Sequence, residues 1–202
     1  MTQSQRISLF ILAITAIEIL LLVLGPSYRQ SAVFHFSFAP LDLTRPYKEV
    51  FFFQKYLMFI SYGFIHSNVI HLLINVIALF LLGKILRKLG KDNLTFSILF
   101  FSILGGASFY YLFEPTSPLP LVGANCASFG LLAFVLSEEL IKRLRRKRSV
   151  NQMVYVLLIF IFAHILYFYA FSAIMPVSII WQGHLGAFLV GAAVALVSQK
   201  KV

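Results

Sequence analysis

The segment GFIHSNVIHLLINVIALFLLG, residues 63–83, joins an apolar run of membrane-spanning length to a group of polar side chains. A helix needs about 20 apolar residues to cross the hydrocarbon core of a bilayer, and we predict a spanning helix over residues 58–83. Its first part carries His66, His71 and Asn75. Because polar groups inside a membrane usually face the protein interior or a hydrated cavity, this segment predicts both a membrane protein and the place of its functional site.

The composition extends this interpretation to the whole chain. Of the 202 residues, 60% are hydrophobic and 12% are charged, whereas a soluble domain is about 45–50% apolar and about 25% charged. We therefore predict an all-α membrane protein with a single domain over residues 1–202. Apolar segments predict six spanning helices and an interfacial first loop. The spans lie at about residues 8–25, 58–83, 94–113, 123–140, 153–174 and 177–197, and the loop at 26–55.

The positive charge is distributed as membrane orientation requires. The formal net charge is +10, and basic residues collect in the loops after the second and fourth predicted spans, whereas the loop after the third has only Glu114 and the loop after the fifth has none. Since Lys and Arg mark the cytoplasmic side, both termini are predicted inside. The pattern argues against a nucleic-acid partner and predicts that Lys142 to Arg148 touch anionic lipid headgroups. Short tails around six spans are typical of the bacterial inner membrane, which is the predicted location.

Polar residues in the second and fourth spans suggest a site but have an ordinary explanation as well. His71 and Asn75 are four residues apart, so both project from one helix face, where they would equally serve helix packing. In the fourth span, GANCASFG at residues 123–130 opens a helix. Its backbone N–H groups and positive dipole end suit an oxyanion, and its small residues would equally serve as a packing stripe.

The sixth predicted span has a histidine followed by small residues. His184 lies in WQGHLGAFLVG, residues 181–191. Ala187 and Gly191 are four apart and predict a face for close helix contact, as does the pair Gly105 and Gly106 in the third span. A lone intramembrane histidine is more often a packing residue than a catalytic one.

Taken together and in this order, the three motifs resemble those of the rhomboid family of intramembrane serine proteases. The resemblance covers nearly the whole chain and implies a six-helix bundle with a long interfacial first loop. It implies that His184 stands at the position of the catalytic base, that His71 and Asn75 match the oxyanion-hole pair, and that Gly123 opens the G-x-S-G motif. Asn125 then stands where the family has its nucleophilic serine.

Two neighbours are candidate substitutes for the missing serine. An amide cannot be activated by a histidine as a hydroxyl can, so Asn125 can bind but not attack. Cys126 is a stronger nucleophile, but it is rotated by about 100° on the helix, and Ser128 lies about 4.5 Å deeper. A misplacement of about 1 Å can cost about a hundredfold in rate, which disfavours both. Phe129, four residues after Asn125, is expected to pack on the ring of His184.

No metal or other cofactor is predicted. Imidazoles suit zinc, and the chain has His66, His71, His164 and His184. No acidic or cysteine ligand accompanies them at metal-site spacing, so this alternative is disfavoured. The single cysteine cannot form an intramolecular disulfide.

Three functions are compatible with these residues. The first is a rhomboid-like pseudoprotease whose cavity binds the transmembrane segments of client proteins. The second is an active intramembrane endopeptidase with Cys126 or Ser128 as its nucleophile, which would hydrolyse a client amide bond near its membrane boundary. The third is a small transporter, for which paired broken helices would be expected in the two halves; no such pair is evident.

Overall fold

The computed structural model describes residues 5–44, 53–172 and 180–199, and within these ranges the chain is helical with no strand. Most of the helices coincide with apolar runs of helix-forming residues. Short 3₁₀ turns at Tyr62–Phe64 and Asp92–Leu94 precede the helices that start at Val69 and Thr95. In chain order the described α-helices are α1 Gln5–Leu24, α2 Pro26–Phe36, α3 Leu41–Thr44, α4 Gln54–Ser61, α5 Val69–Lys88, α6 Thr95–Phe113, α7 Asn125–Arg145, α8 Asn151–Ser172 and α9 Trp181–Ser198.

Four helices of the described part are long and apolar enough to cross a membrane: Arg6–Leu24, Val69–Lys88, Thr95–Phe113 and Trp181–Ser198. The prediction of an all-α membrane protein is therefore confirmed. Helices α7 and α8 have comparable lengths of 21 and 22 residues. The count of six spans and the orientation of the termini stay predictions.

The second predicted span, 58–83, is wrong as one continuous helix. The chain forms α4 and a 3₁₀ turn, becomes extended at Ile65 (φ −103°, ψ 132°), and starts α5 only at Val69. The reason is local: Asn68 caps α5, its side-chain oxygen accepting a hydrogen bond from the His71 backbone N–H at 2.9 Å. A short polar side chain at this place favours a helix start over a helix interior.

The other predicted boundaries differ from the helices by a few residues. Helix α7 starts at Asn125 rather than at residue 123 and continues to Arg145. The start of the sixth predicted span, 177–179, lies outside the described residues, as do residues 45–52 of the first loop and 173–174 of the fifth span. The described part of the first loop forms α2 and α3.

Small residues bring α6, α7 and α9 into backbone contact, as the sequence predicted. A Cβ atom added to Gly191 in α9 would lie 2.8 Å from the Cα of Gly130 in α7, and one added to Gly105 in α6 would lie 3.5 Å from the Gly186 carbonyl oxygen. Ala187 has no exposed surface. Close packing of this kind drives helix association in a bilayer, and here it holds α9 against both α6 and α7.

The first loop fastens the segment that leads into α7. Phe38 and Leu121 exchange two backbone hydrogen bonds of 3.1 and 2.8 Å, and the Leu41 N–H donates to the Ser117 carbonyl at 3.0 Å. From the other side, the Tyr110 hydroxyl donates to the Leu119 carbonyl at 2.9 Å. The start of α7 is therefore held in place by the first loop and α6 together.

Candidate functional site

The turn before α7 approaches α5 closely at Gly123. Gly123 has φ +95°, a left-handed conformation that glycine adopts without steric cost. Its N–H donates to the Tyr62 carbonyl at 2.9 Å. A Cβ atom at this position would lie 2.7 Å from Nε2 of His71, so only glycine lets the turn lie against that ring. Two residues that the sequence singled out, Gly123 and His71, are thus neighbours.

His66 contacts the same turn at Ala124. Its ring is fully buried, and its Nε2 accepts a hydrogen bond from the Ala124 N–H at 3.3 Å. It also meets the His71 ring edge-on, with centroids 5.2 Å apart. His66 therefore lies in the protein interior, without exposed surface. The spacing of five residues between the two histidines does not describe one helix, because α5 starts between them.

An ion pair from the first part of the chain holds His66, and sequence reasoning missed it. Arg29 pairs with Glu18 at 2.6 and 3.2 Å, and its guanidinium also donates to the His66 carbonyl at 2.9 Å. Glu18 is almost completely buried. An acidic residue inside an apolar span indicates a partner, so Glu18 was a usable signal, but nothing in the sequence named Arg29 as that partner.

Asn75 connects α5 to the interior of α7. Its amide nitrogen donates to the His71 carbonyl at 3.0 Å, and its amide oxygen accepts from the Ser128 hydroxyl at 3.3 Å. Both side chains are buried. The structure thus brings three of the singled-out residues, His71, Asn75 and Ser128, into one hydrogen-bonded group. The Ser128 hydroxyl serves the contact between two helices.

His184 in α9 stacks on Phe129 of α7. The ring centroids are 4.6 Å apart and the planes differ by 1°, which confirms the contact expected from the sequence. Asn125 is half-buried and lies one helical turn before Phe129 on the same face of α7. The described hydrogen bonds include none between Asn125 and His184. Asn125 therefore lies on the face of α7 that carries the contact with His184, and an aromatic ring covers one flat face of the imidazole.

Cys126 points to α6 and to the backbone of α9. It has no exposed surface, and its thiol donates to the Gly183 carbonyl at 3.5 Å. A Cβ atom on Gly106 would lie 3.0 Å from the Cβ of Cys126 and 2.9 Å from the Tyr62 hydroxyl. The thiol is consequently packed in the α6–α7–α9 contact, and its hydrogen bond goes to the backbone preceding His184.

The site as a whole is a set of buried polar groups around the start of α7. In the part of the chain that the structure describes, no three His, Cys, Asp or Glu side chains are grouped so that they could hold a metal ion; the side chain of His164 lies outside that part. The first backbone N–H groups of a helix have no partner within the helix. At the start of α7 the N–H of Ala124 donates to His66, and Asn125, which is half-buried, is the residue there that keeps some exposed surface.

Comparison with known protein families gives a match. A family model described as a rhomboid domain matches residues 54–201, which is most of the chain and includes His71, Asn75, Asn125 and His184. None of the curated proteins compared with the chain matches it.

Proposed function

The chain belongs to the rhomboid family, and we propose that it is a pseudoprotease of that family, an integral membrane protein that binds client transmembrane segments without cutting them. The observation that carries the proposal is that each of the three candidate nucleophiles lacks the chemistry or the placement for attack. Asn125 has the placement without the chemistry. Cys126 and Ser128 have the chemistry, but their hydrogen bonds go elsewhere.

The chemistry of Asn125 excludes an acyl-enzyme at that position. Nucleophilic catalysis needs a group that attacks the carbonyl carbon and later leaves. The amide nitrogen of asparagine has a delocalised lone pair, and a neighbouring histidine cannot make it attack. A half-buried amide at the start of α7 can instead donate a hydrogen bond to a client carbonyl oxygen.

The two substitutes are both committed to packing. The Ser128 hydroxyl donates to Asn75 at 3.3 Å, and the Cys126 thiol donates to Gly183 at 3.5 Å. Both side chains are almost fully buried, at 3% and 0% exposure. Moving either of them onto the His184 ring nitrogens would require α7 to rotate within a contact made by glycine backbones, and such a contact has no room for rotation.

Binding of a client is supported by the site residues that this chain shares with the family's motifs. His71, Asn75 and Gly123 lie together beside the start of α7. His66 links this region to the Glu18–Arg29 ion pair, because its ring accepts a hydrogen bond from the Ala124 N–H and its carbonyl accepts one from Arg29. We place six spans in the membrane with both termini inside. Asn125 is about 27 Å along α7 from Arg143, so a basic, cytoplasmic end of α7 puts the site in the outer half of the bilayer.

The second candidate is an active endopeptidase, and one observation favours it. His184, at the position of the catalytic base, stays buried beside the start of α7, although a base without a nucleophile has no use in proteolysis. Cys126 is the nearer substitute, because its thiol already contacts the residue before His184. In that case the reaction would be hydrolysis of a client amide bond through a thioester.

The test is a gel-based cleavage assay in detergent with a generic rhomboid substrate. It compares the native chain, Asn125→Ser, and Asn125→Ser with Cys126→Gly. We expect no cleavage by the native chain and cleavage by the double variant, because that variant restores the G-x-S-G motif. Adding His184→Ala to the double variant should lower its rate by about 10²–10⁴-fold, the usual contribution of a general base.

Two results would contradict the proposal. Cleavage by the native chain that disappears in Cys126→Ala or Ser128→Ala would establish the endopeptidase with a displaced nucleophile. A photo-crosslinking residue at position 125 that captures no membrane protein in native membranes would remove the client-binding function. A crosslinker at Tyr155, an exposed position on α8, is the matched control for contacts made by chance.

A further inference from the structure

A basic pocket of about 290 Å³ lies at the end of α7 that is remote from the candidate site. Its walls come from the last turns of α7, the turn that follows, and the start of α8. The six residues that line it are Glu139, Lys142, Arg143, Arg146, Arg148 and Gln152.

Arg143 organises the pocket and contributes little net charge to it. Its Nε donates to Glu139 at 2.7 Å, and its two terminal nitrogens donate to the Ser149 carbonyl at 2.7 Å and to Gln152 at 3.1 Å. A guanidinium with all three nitrogens engaged is held in one orientation. Arg143 therefore ties α7 to the start of α8, and Glu139 compensates its charge.

The other three cations of the pocket are not compensated in this way. Among the described residues, no ion pair includes Lys142, Arg146 or Arg148, whereas the carboxylate of the pocket, Glu139, pairs with Arg143. Four cations against one carboxylate leave the pocket with a net charge of +3 (4 − 1). A concave surface with this charge attracts an anion strongly.

An apolar groove of about 280 Å³ adjoins the basic pocket. The two cavities share Glu139, Arg143 and Gln152 in their walls, so the groove continues directly from the pocket. The remaining wall of the groove is aliphatic and comes from α5, α7 and α8, with Ile85, Leu89, Val135, Leu136, Met153 and Val156.

We propose that the pocket and the groove together bind one anionic phospholipid. The phosphate and headgroup lie among Lys142, Arg146 and Arg148, and one acyl chain lies in the groove between α5, α7 and α8. Arginine pairs with phosphate through two parallel hydrogen bonds. A free phosphate would use the pocket and leave the groove unused, whereas an anionic lipid uses both. The site is independent of the proposed pseudoprotease function, because it lies at the other end of α7.

The experiment is native mass spectrometry of the full chain in detergent, with added phosphatidylglycerol or phosphatidylcholine. We expect phosphatidylglycerol to bind at least about tenfold more tightly than phosphatidylcholine. The double change Arg146→Gln with Arg148→Gln should weaken phosphatidylglycerol binding by about 25-fold, or about fivefold for each charge removed near the membrane surface. The matched control is Arg87→Gln with Lys88→Gln, which removes the same charge from exposed residues at the end of α5 and should change binding less than about twofold.

A second variant tests the groove separately from the pocket. Met153→Trp fills the groove and keeps every cation, and it should weaken phosphatidylglycerol binding without changing the thermal midpoint of the lipid-free protein. Equal binding of the two lipids, or an equal loss in the Arg87/Lys88 control, would overturn the proposal in favour of a diffuse basic surface. Full displacement of the lipid by inorganic phosphate at millimolar concentration, with no effect of Met153→Trp, would overturn it in favour of a site for free phosphate.

Discussion

Helices α7 and α8 follow each other in the chain and have nearly equal lengths, 21 and 22 residues, but opposite surroundings. Helix α7, with charged residues in its second half, is the more polar of the two, and its first half is almost wholly buried. Helix α8 is made largely of Ile, Leu, Val, Phe and Tyr, and its described side chains are mostly exposed, with Ile159 at 68% and Phe162 at 67%.

The difference shows that, in a bilayer, an apolar side chain does not by itself indicate a buried position. A large aliphatic side chain gains little by leaving lipid for protein, because both are apolar. Small residues gain close backbone packing, and polar residues gain the hydrogen bonds that lipid cannot supply. Gly130 and Ser128 therefore favour a place for α7 inside the bundle. The aliphatic residues of α8 give no such preference, and α8 lies at the surface of the protein.

The largest effect is expected where the α7 backbone meets α9. Gly191→Leu places a side chain against the backbone of Gly130, which cannot move aside as a side chain can. We expect a loss of about 3 kcal/mol or more in the free energy of unfolding, because an overpacked contact must separate. The measurement is thermal or denaturant unfolding in detergent. Ala193→Leu, at an exposed position of the same helix, is the control, and equal stability of the two variants would contradict close α7–α9 packing.

A smaller effect is expected from the hydrogen bond between Ser128 and Asn75. A double-mutant cycle with Ser128→Ala and Asn75→Ala should give a coupling free energy of about 0.6 kcal/mol, with about 1.7 kcal/mol as an upper value for such bonds in membranes. The same unfolding measurement provides it. A coupling of zero would mean that the Ser128 hydroxyl is available to another partner, which would strengthen the case for Ser128 as a nucleophile.

The smallest effect is expected on α8. Ile159→Ala removes an exposed aliphatic side chain and should change the unfolding free energy by less than about 0.5 kcal/mol. Ile98→Ala, at a fully buried position of α6, should cost about 2 kcal/mol or more by the same measurement. A loss of similar size at Ile159 would mean that α8 packs on another surface, and the contrast with α7 would then disappear.

Much of the fold was predictable because the lengths of apolar runs follow from the thickness of a bilayer. Helix α6 starts one residue from its predicted boundary and ends at it, and α9 ends one residue from its predicted boundary. The start of α5 was missed, since mostly apolar residues continue from 58 to 65, whereas the helix is interrupted by a 3₁₀ turn, the extended backbone at Ile65 and the cap at Asn68. In the site, the contact of Phe129 with His184 was predicted from two things together: the resemblance that places Asn125 beside His184, and the spacing that puts Phe129 one helical turn after Asn125.

The sequence by itself determined an all-α membrane protein of the rhomboid family, the residues around the start of α7, and the absence of a serine at position 125. Each of these depends on residue type, on spacing within single helices and on the order of the motifs along the chain. Only the tertiary structure decided that Arg29 pairs with Glu18, that His66 supports the turn at Ala124, and that Cys126 and Ser128 bond to Gly183 and Asn75. These contacts join segments distant in the chain, and their partners depend on the mutual rotation of packed helices, which no local pattern encodes.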